Sequence, residues 1–499
     1  MKYVVGVDLG TSAVKILLVD QNGEVVKEVS KDYPLIQEKA GYSEQDPDAW
    51  VNQTLAGLQK LLEEFSDNKE DIEGISFSGQ MHGLVLLDEN NQPLRNAILW
   101  NDTRTTAECE EIYQTVGEAQ LLEITKNPAL EGFTLPKILW VKKHEPDIFA
   151  KAKVFVLPKD YVRLKLTGKV HMDLSDAAGT LLLNVAQKEW SNDICDLFEL
   201  DRGFCPPLVQ SHDEVGVILP EVADFTGLSD NTRVFAGGAD NACGAIGSGI
   251  LEEGKTLASI GTSGIVLSYE ADGNKDFQGA FHYFNHGAPD AFYTMGVTLA
   301  AGYSLSWFKN TFAENESFTD LLADVDTVSP GSNGLLFTPY LVGERTPHVD
   351  ATIRASFVGM DGSHEMKHFA RAVLEGITFS LNESVEIFRK QGKKIDSIIS
   401  IGGGAKNEAW LQMQADVFNA KIVKLSSEQG PGMGAAMLAA YGCGWFASMS
   451  ECADSFLQVE KEYFPNEENV QQYQELFQLY KDVYKQTKEL NKGLAKFKK

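Results

Sequence analysis

"VDLGTSAVKILLVD", residues 7–20, and "ASIGTSGIVLSYE", residues 258–270, decide how this chain is read. In both, an apolar run rich in β-branched residues meets Gly-Thr-Ser and a second such run follows, which predicts a strand, a tight turn and a strand. The glycine lets the backbone reverse, and the two hydroxyls with the exposed N–H groups of the turn can hydrogen-bond an anion such as a phosphate. Gly10, Thr11 and Ser12 head the first half of the 499 residues, and Gly261, Thr262 and Ser263 head the second. A duplicated domain would leave that mark; two unrelated hairpin turns are the competing explanation.

Composition narrows the class. Hydrophobic residues at 43% and charged residues at 23% suit a folded chain with room for two cores. The formal charge of −27 argues against nucleic acid, whose phosphates are met by clustered Lys and Arg. It does not exclude a small anionic ligand, which needs only local N–H groups and a metal ion. Cysteines 109, 195, 205, 243, 443 and 452 form no C-x-x-C pair, so reduced structural thiols and a cytoplasmic location are expected. "MKYVVGVDLG" reaches Asp8 before any apolar stretch long enough for a signal peptide. No run approaches the ~18 to 20 apolar residues of a membrane helix. The nearest, "GAAMLAAYGCGWFASM", is short and broken by glycine, and is expected to be a packed helix.

The first half predicts three strands, "YVVGVDLG", "VKILLVD" and "EVVKEV", then a helix, "DPDAWVNQTLAGLQKLLEEF", capped by Asp46 with Pro47 in its first turn. "IEGISFSGQMHGLVLLD" follows as two strands around a polar loop, and "NAILWNDTR" as a strand ending in a polar cluster. A mixed α/β sheet with loops at its strand ends is a natural ligand site. The second half repeats the rhythm with "TLASIGTSGIVLSYE", the long helix "EMKHFARAVLEGITFSLNESVEIFRKQG" and "IDSIISIGGGAKNEAWLQMQADVFNAKIVKL". In the last of these, Gly402 to Gly404 let a nucleotide approach the backbone, and a helix from about Asn407 aims its positive end at the site. A plain strand-to-helix turn fits the same residues. Near the end, Tyr473, Leu476, Phe477, Tyr480, Val483 and Tyr484 recur every three or four residues, as in an amphipathic helix docking on the body.

Two motifs mislead. "GILEEGKT", Gly249 to Thr256, has the letters of a Walker A loop, but such a loop must open a helix, whereas strands are predicted here. Glu252 and Glu253 would also set negative charge against phosphate. "HEMKH", His364 to His368, has the letters of a zinc peptidase site with Glu365 as base, yet it falls in the first turn of a helix where polar residues are ordinary.

Asp240 lies in "VFAGGADNACGAIGSG" among residues too small to shield it, with Asn241 beside it. It is either a carboxylate a substrate can reach or the cap of the next helix. Asp8, ending the first strand beside Gly-Thr-Ser, is placed to hold Mg²⁺ near a polyphosphate, or else forms the turn. Gln80, Met81 and His82, with Trp100, Asn101, Asp102 and Arg104, supply donors, acceptors and an aromatic wall for a polyhydroxylated ligand. A nucleotide on one half and a sugar on the other would need only positioning, a metal and a base.

The chain resembles the FGGY carbohydrate kinases. "GFTLPKILWVKKH", residues 132–144, resembles the first signature of that family, and "ASFVGMDGSHEMKHFARAVLE", residues 355–375, the second, which explains the deceptive His-Glu-x-x-His as part of a kinase helix. "SGQMHGLVLLD", "AILWNDTR", "LPKDYVRLKLTG", "SDAAGT" and "YLVGERTPH" are similar to the members that act on D-xylulose. The resemblance implies two actin-like (ribonuclease H-like) ATPase domains related by duplication: a sugar-binding domain over 1–248 and a nucleotide-binding domain over 249–499, with a cleft between them. It implies ATP and Mg²⁺ as cofactors, and a ketopentose and ATP as substrates. D-Xylulose 5-phosphate, the product, would carry xylose catabolism into the pentose phosphate route. Neither nucleic acid nor membrane is expected as a partner, and a homodimer is left open.

Residue by residue, the resemblance makes Asp240 the catalytic base and sets Gln80, Met81, His82, Trp100, Asp240 and Asn241 on the ketose. Asp8 serves the metal, Thr11, Ser12, Gly261, Thr262 and Ser263 face the phosphates, and Gly403, Gly404 and Asn407 lie near adenosine. Ala13 and Ala239 depart from the glycines common in relatives, and Thr103 from the residue common after "WND"; the first two bear on the turns' fine geometry, the third on sugar preference. The other open readings are the same chemistry on ribulose, gluconate or glycerol, and an actin- or chaperone-like ATPase.

Overall fold

The computed structural model describes residues 1–63 and 65–497. The chain divides into two units, the first comprising Met1–Leu251, Glu270–Tyr293 and Gln429–Leu457, the second Glu252–Tyr269, Thr294–Glu428 and Gln458–Lys499.

In the first unit the Gly-Thr-Ser turn joins β1 (Tyr3–Leu9) to β2 (Ala13–Asp20), and β3 (Val25–Asp32) continues the meander. On the other side of β1 lie β4 (Ile72–Gly79), then β6 (Arg233–Phe235), with β5 (Glu214–Val217) at the edge; β7 (Gly238–Ala239) also pairs with β4. The β1–β2 and β2–β3 pairs are antiparallel, β1–β4 and β4–β6 parallel, and β5–β6 antiparallel.

In the second unit β8 (Gly254–Ile260) and β9 (Gly264–Glu270) flank the second Gly-Thr-Ser as an antiparallel hairpin, with β10 (Phe292–Thr298) beyond β9. β11 (Ile395–Gly402) and β12 (Lys421–Leu425) follow parallel to β8, and β13 (Val459–Tyr463) closes the order antiparallel. Outward from β1 and from β8 the sense of pairing is the same, parallel, parallel and then antiparallel at the edge. That repeated topology is the duplication the two Gly-Thr-Ser stretches predict.

β1 is apolar except for Asp8 near its end because both of its faces are covered. Val5, Val7, Ile16 and Leu18 share a core with Trp50, Leu58 and Leu61 of α1 (Pro47–Leu62), whose first turn is capped by the Asp46 carboxylate accepting from Asp48 N–H. On the opposite face Gly6 is required, since a Cβ there would lie 2.2 Å from the carbonyl oxygen of Gly432. The short helix α2 (Asp240–Ile246) starts at the end of β7. In the second unit α3 (Met366–Lys390) and α4 (Glu408–Phe418) are long, largely buried helices. Gly432 belongs to α5 (Gly430–Gly442), the packed small-residue helix, whose sequence lies late but which folds into the first unit. The closing helix α6 (Glu467–Ala495) buries Tyr473, Phe477, Tyr480 and Val483 as its periodicity predicts.

Both misleading motifs resolve locally. Gly249–Thr256 runs into β8 and opens no helix. Glu365 caps α3 in a capping box with His368, and His364 Nδ1 accepts from Asp361 N–H at 2.9 Å, so His-Glu-x-x-His is spent on a helix start.

Candidate active site

In the first unit the pairing registers bring three pieces of sequence to one end of the sheet. Asp8 stands opposite Ser78, and Leu9 and Ala239 both stand opposite Gly79. Gln80 N–H then donates to Leu9 carbonyl at 2.9 Å. Asp8, the Gln80–His82 loop and Asp240 therefore emerge side by side from β1, β4 and β7.

Asp240 is the first residue of α2, half-buried, with Oδ1 accepting from the N–H and the amide nitrogen of Asn241 at 2.7 and 3.1 Å. Desolvation by burial, then the nearby negative charge of Asp8, raise its pKa to about 7, against the pull of the Asn241 N–H. Burial likewise raises Asp8, with Ser78 and Lys15 opposing it. The Asp8 carboxylate, at the end of β1, offers oxygens of the kind a hard divalent cation takes.

The folded protein holds the Asp240 proton to about pH 7, whereas an unfolded chain releases it near 3.8. Folding takes up a proton in that window, so this carboxyl costs stability increasingly as pH rises from 3.8 to 7. Asp240→Asn is expected to melt higher than the parent in the absence of ligands. The gap should widen from about pH 5 to pH 8; a pH-independent gap in a thermal-melt series would contradict the shifted pKa.

Asn241 reaches Met81, and Met81 and His82 both lie against Gly179. The Asn241 amide nitrogen lies 3.5 Å from the Met81 sulfur. His82 adopts a left-handed backbone (φ +68°) and its Nδ1 lies 2.7 Å from Gly179 carbonyl oxygen, which only accepts, so Nδ1 carries the proton. Gly179 must be glycine, because a Cβ would sit 2.7 Å from that nitrogen. Phe133 packs on the His82 ring at 4.6 Å between centroids. The His82 carbonyl accepts from Thr134 Oγ1 at 3.1 Å and Lys137 Nζ at 3.2 Å. Lys137 is fully buried on the helix Thr134–His144, and desolvation brings its pKa down to about 7.

Trp100 is 47% exposed and its indole N–H donates to Thr11 Oγ1 at 3.0 Å, linking the aromatic wall to the first Gly-Thr-Ser turn. Its neighbours depart from expectation. Asp102 and Arg104 pair with each other at 2.7 Å, Arg104 also reaches Glu44 at 2.7 Å, and its guanidinium lies 3.7 Å from the Tyr42 ring centre. Paired in this way, these two residues build the loop, while Trp100 stays exposed.

Behind β7 lies a cluster the sequence does not announce. Lys159 Nζ contacts Asp160, Asp173 and Asp176 at 2.7, 2.7 and 2.9 Å, and Arg163 adds a contact to Asp160 at 2.9 Å, every one of these side chains fully buried. Burial drives the Asp176 carboxyl well above the ordinary range. Asp173 accepts from the Ser175 hydroxyl, and Ser175 Oγ accepts from Ala239 N–H at 2.9 Å, the residue before Asp240.

In the second unit Ile260, at the end of β8, stands opposite Gly402 at the end of β11. The second Gly-Thr-Ser turn and the glycines after β11 are thus neighbours, as the first turn and the Gln80 loop are in the first unit. A cavity of about 710 Å³ lies here, lined by Gly261, Thr262, Tyr303, Phe318, Gly403 and Asn407 among others. Gly404 instead packs under Ile260, where a Cβ would meet the side chain at 2.5 Å, and Ser263 is not among the lining residues. Asn407 caps α4 by accepting from Trp410 N–H at 2.9 Å. A cavity lined by Tyr303 and Phe318 as well as by glycine backbone suits a flat base with a polar extension.

The sequence matches two profiles of one family: "FGGY family of carbohydrate kinases, N-terminal domain" over residues 3–247 and the corresponding C-terminal domain over residues 256–443. It is 62% identical to a xylulose kinase of Bacillus subtilis over 499 residues, covering all of both chains. Among solved structures it is similar to a ligand-bound xylulose kinase from Lactobacillus acidophilus (30% identity, TM-score 0.92, 98% of each chain). A gluconate kinase from the same organism matches as well (30%, TM-score 0.92, 100% of each chain). With two duplicated α/β halves, each presenting a Gly-Thr-Ser hairpin beside a second loop at its strand ends, the chain belongs to the FGGY family of carbohydrate kinases.

Proposed function

We infer that this carbohydrate kinase transfers the γ-phosphoryl group of ATP to the 5-hydroxyl of D-xylulose, with Asp240 as the base. The observation that carries the role of Asp240 is its placement: a half-buried carboxyl, with a pKa of about 7, beside the Gln80–His82 loop. A base poised near the working pH accepts the hydroxyl proton as the oxygen attacks phosphorus, and returns it to water after release. Met81, His82, Trp100 and Asn241 orient the ketose so that one hydroxyl faces that carboxylate. Thr11 and Ser12 of the first turn and Gly261, Thr262 and Ser263 of the second offer N–H and hydroxyl donors to phosphate oxygens. Gly403 and Asn407 lie against adenosine, with Gly404 packed beneath them on Ile260. Asp8 is the residue to hold Mg²⁺, which when bound offsets phosphate charge. The choice of D-xylulose is supported by the names of the relatives most similar over the full length.

ADP release with Mg-ATP across D-xylulose, D-ribulose, L-ribulose, gluconate, glycerol and no sugar tests the reading. D-Xylulose is expected to lead by at least tenfold. Leadership by gluconate would move the substrate within the family, and turnover without any sugar would favour an ATPase whose cycle serves another end.

A further inference from the structure

Gln45 is absent from every motif above, yet it is bonded to two parts of the first unit's candidate site. It lies on the short strand Glu44–Gln45 and is 1% exposed. Its Oε1 accepts from Trp50 Nε1 at 2.9 Å and from Gln80 Nε2 at 3.1 Å, while its Nε2 donates to the carbonyl oxygen of Thr11 at 2.7 Å.

The direction of every bond in this relay follows from one residue. An indole N–H can only donate, so Trp50 pins the oxygen of Gln45 toward itself, and the amide nitrogen of Gln45 must face Thr11. Gln80 then has to present its own nitrogen to Gln45. That leaves Gln80 Oε1 buried, with no hydrogen-bond partner among the described residues. A buried amide oxygen without a donor is retained where a ligand can supply one. Gln80 sits between the strand ends that carry Asp8 and Asp240, where a sugar hydroxyl would be the donor.

We propose that Gln45 is a positioning residue that couples sugar binding at Gln80 to the phosphate-facing turn at Thr11. A hydroxyl donating to Gln80 Oε1 holds that amide against Gln45, and Gln45 in turn fixes the Thr11 peptide and the N–H groups that follow it. The inference rests on the functional reading of Gln80 as a sugar contact and of Thr11 and Ser12 as phosphate contacts. Linkage makes the effect reciprocal: sugar tightens the nucleotide by the same factor as nucleotide tightens the sugar.

The test is calorimetric titration of the full chain with a non-hydrolysable Mg-ATP analogue, with and without saturating D-xylulose. For the parent, sugar is expected to tighten the analogue roughly five- to a hundredfold. In Gln45→Leu that factor should fall to about one. Gln45→Glu keeps the acceptor for Trp50 and Gln80 but, as a carboxylate, sets an acceptor and a negative charge against the Thr11 carbonyl, so at a pH where it is ionised it should show the same loss. An undiminished factor in Gln45→Glu overturns the inference, as does a parent in which sugar and analogue both bind without coupling. If D-xylulose does not bind the parent at all, the functional reading fails and takes this inference with it.

Discussion

Asp240→Asn is expected to turn over D-xylulose roughly 10² to 10⁴ times more slowly than the parent, the range for loss of a positioned general base. That corresponds to about 3 to 5 kcal/mol of transition-state stabilisation. The asparagine keeps the size of the side chain at the start of α2, so the Michaelis constants for sugar and ATP should change by only a fewfold. The parent should show an ascending limb in kcat/KM with a midpoint near the Asp240 pKa of about 7, displaced by whatever the bound cation and nucleotide add. That limb should vanish in the variant. Steady-state kinetics from pH 5.5 to 9 separate the outcomes: retained turnover removes Asp240 from the chemistry, and a collapse of affinity at constant turnover makes it a binding residue. The same substitution is expected to stabilise the ligand-free protein above neutral pH, so a slower but higher-melting variant is the combined signature.

Lys159→Met is expected to be the most damaging substitution outside the site. It removes the ammonium that contacts Asp160, Asp173 and Asp176, all fully buried, and leaves Arg163 alone against carboxylates that cannot reach water. Stranding buried charge in this way costs about 3 to 5 kcal/mol, a large share of the 5 to 15 kcal/mol typical of a whole domain. Thermal melting and soluble yield should both fall sharply, and lowering the pH should recover part of the loss as the stranded carboxyls protonate. Lys188→Met is the matched control. Its partner Asp290 is 91% exposed, so the change should cost less than about 1 kcal/mol. A Lys159→Met protein that melts within a degree or two of the parent would show that the cluster is compensated in some other way. Because Ser175 ties this cluster to Ala239, a surviving variant should also lose turnover by displacing Asp240.

The turns and strand ends of the candidate site were legible in one dimension because they are short and local. A Gly-Thr-Ser turn between β-branched runs, an aspartate after two glycines and an alanine, and three glycines before an N-cap asparagine each carry their geometry within a few residues. The failures are equally instructive. Asp102 and Arg104 look like ligand donors in "WNDTR", but a charged residue next to an aromatic cannot reveal that its partner, Glu44, lies far back in the chain. Gln45 carries no motif at all, since an amide becomes informative only once its neighbours are known. Lys137 and Lys159 read as ordinary charges in "TLPKILW" and "LPKDY", and only burial changes what their ammonium groups do.

The sequence by itself therefore determined the repeated strand–turn–strand, its α/β setting and the residue types that could handle a phosphate and a sugar, because these follow from backbone propensity and hydrogen-bonding capacity over a few positions. The tertiary structure decided which of those residues meet. Strand register aligned Asp8, Gly79 and Ala239, burial raised Asp240 to a useful pKa, and the donor-only indole of Trp50 set the direction of a relay from Thr11 to Gln80. These are properties of distance and dielectric, which a linear order of residues does not contain.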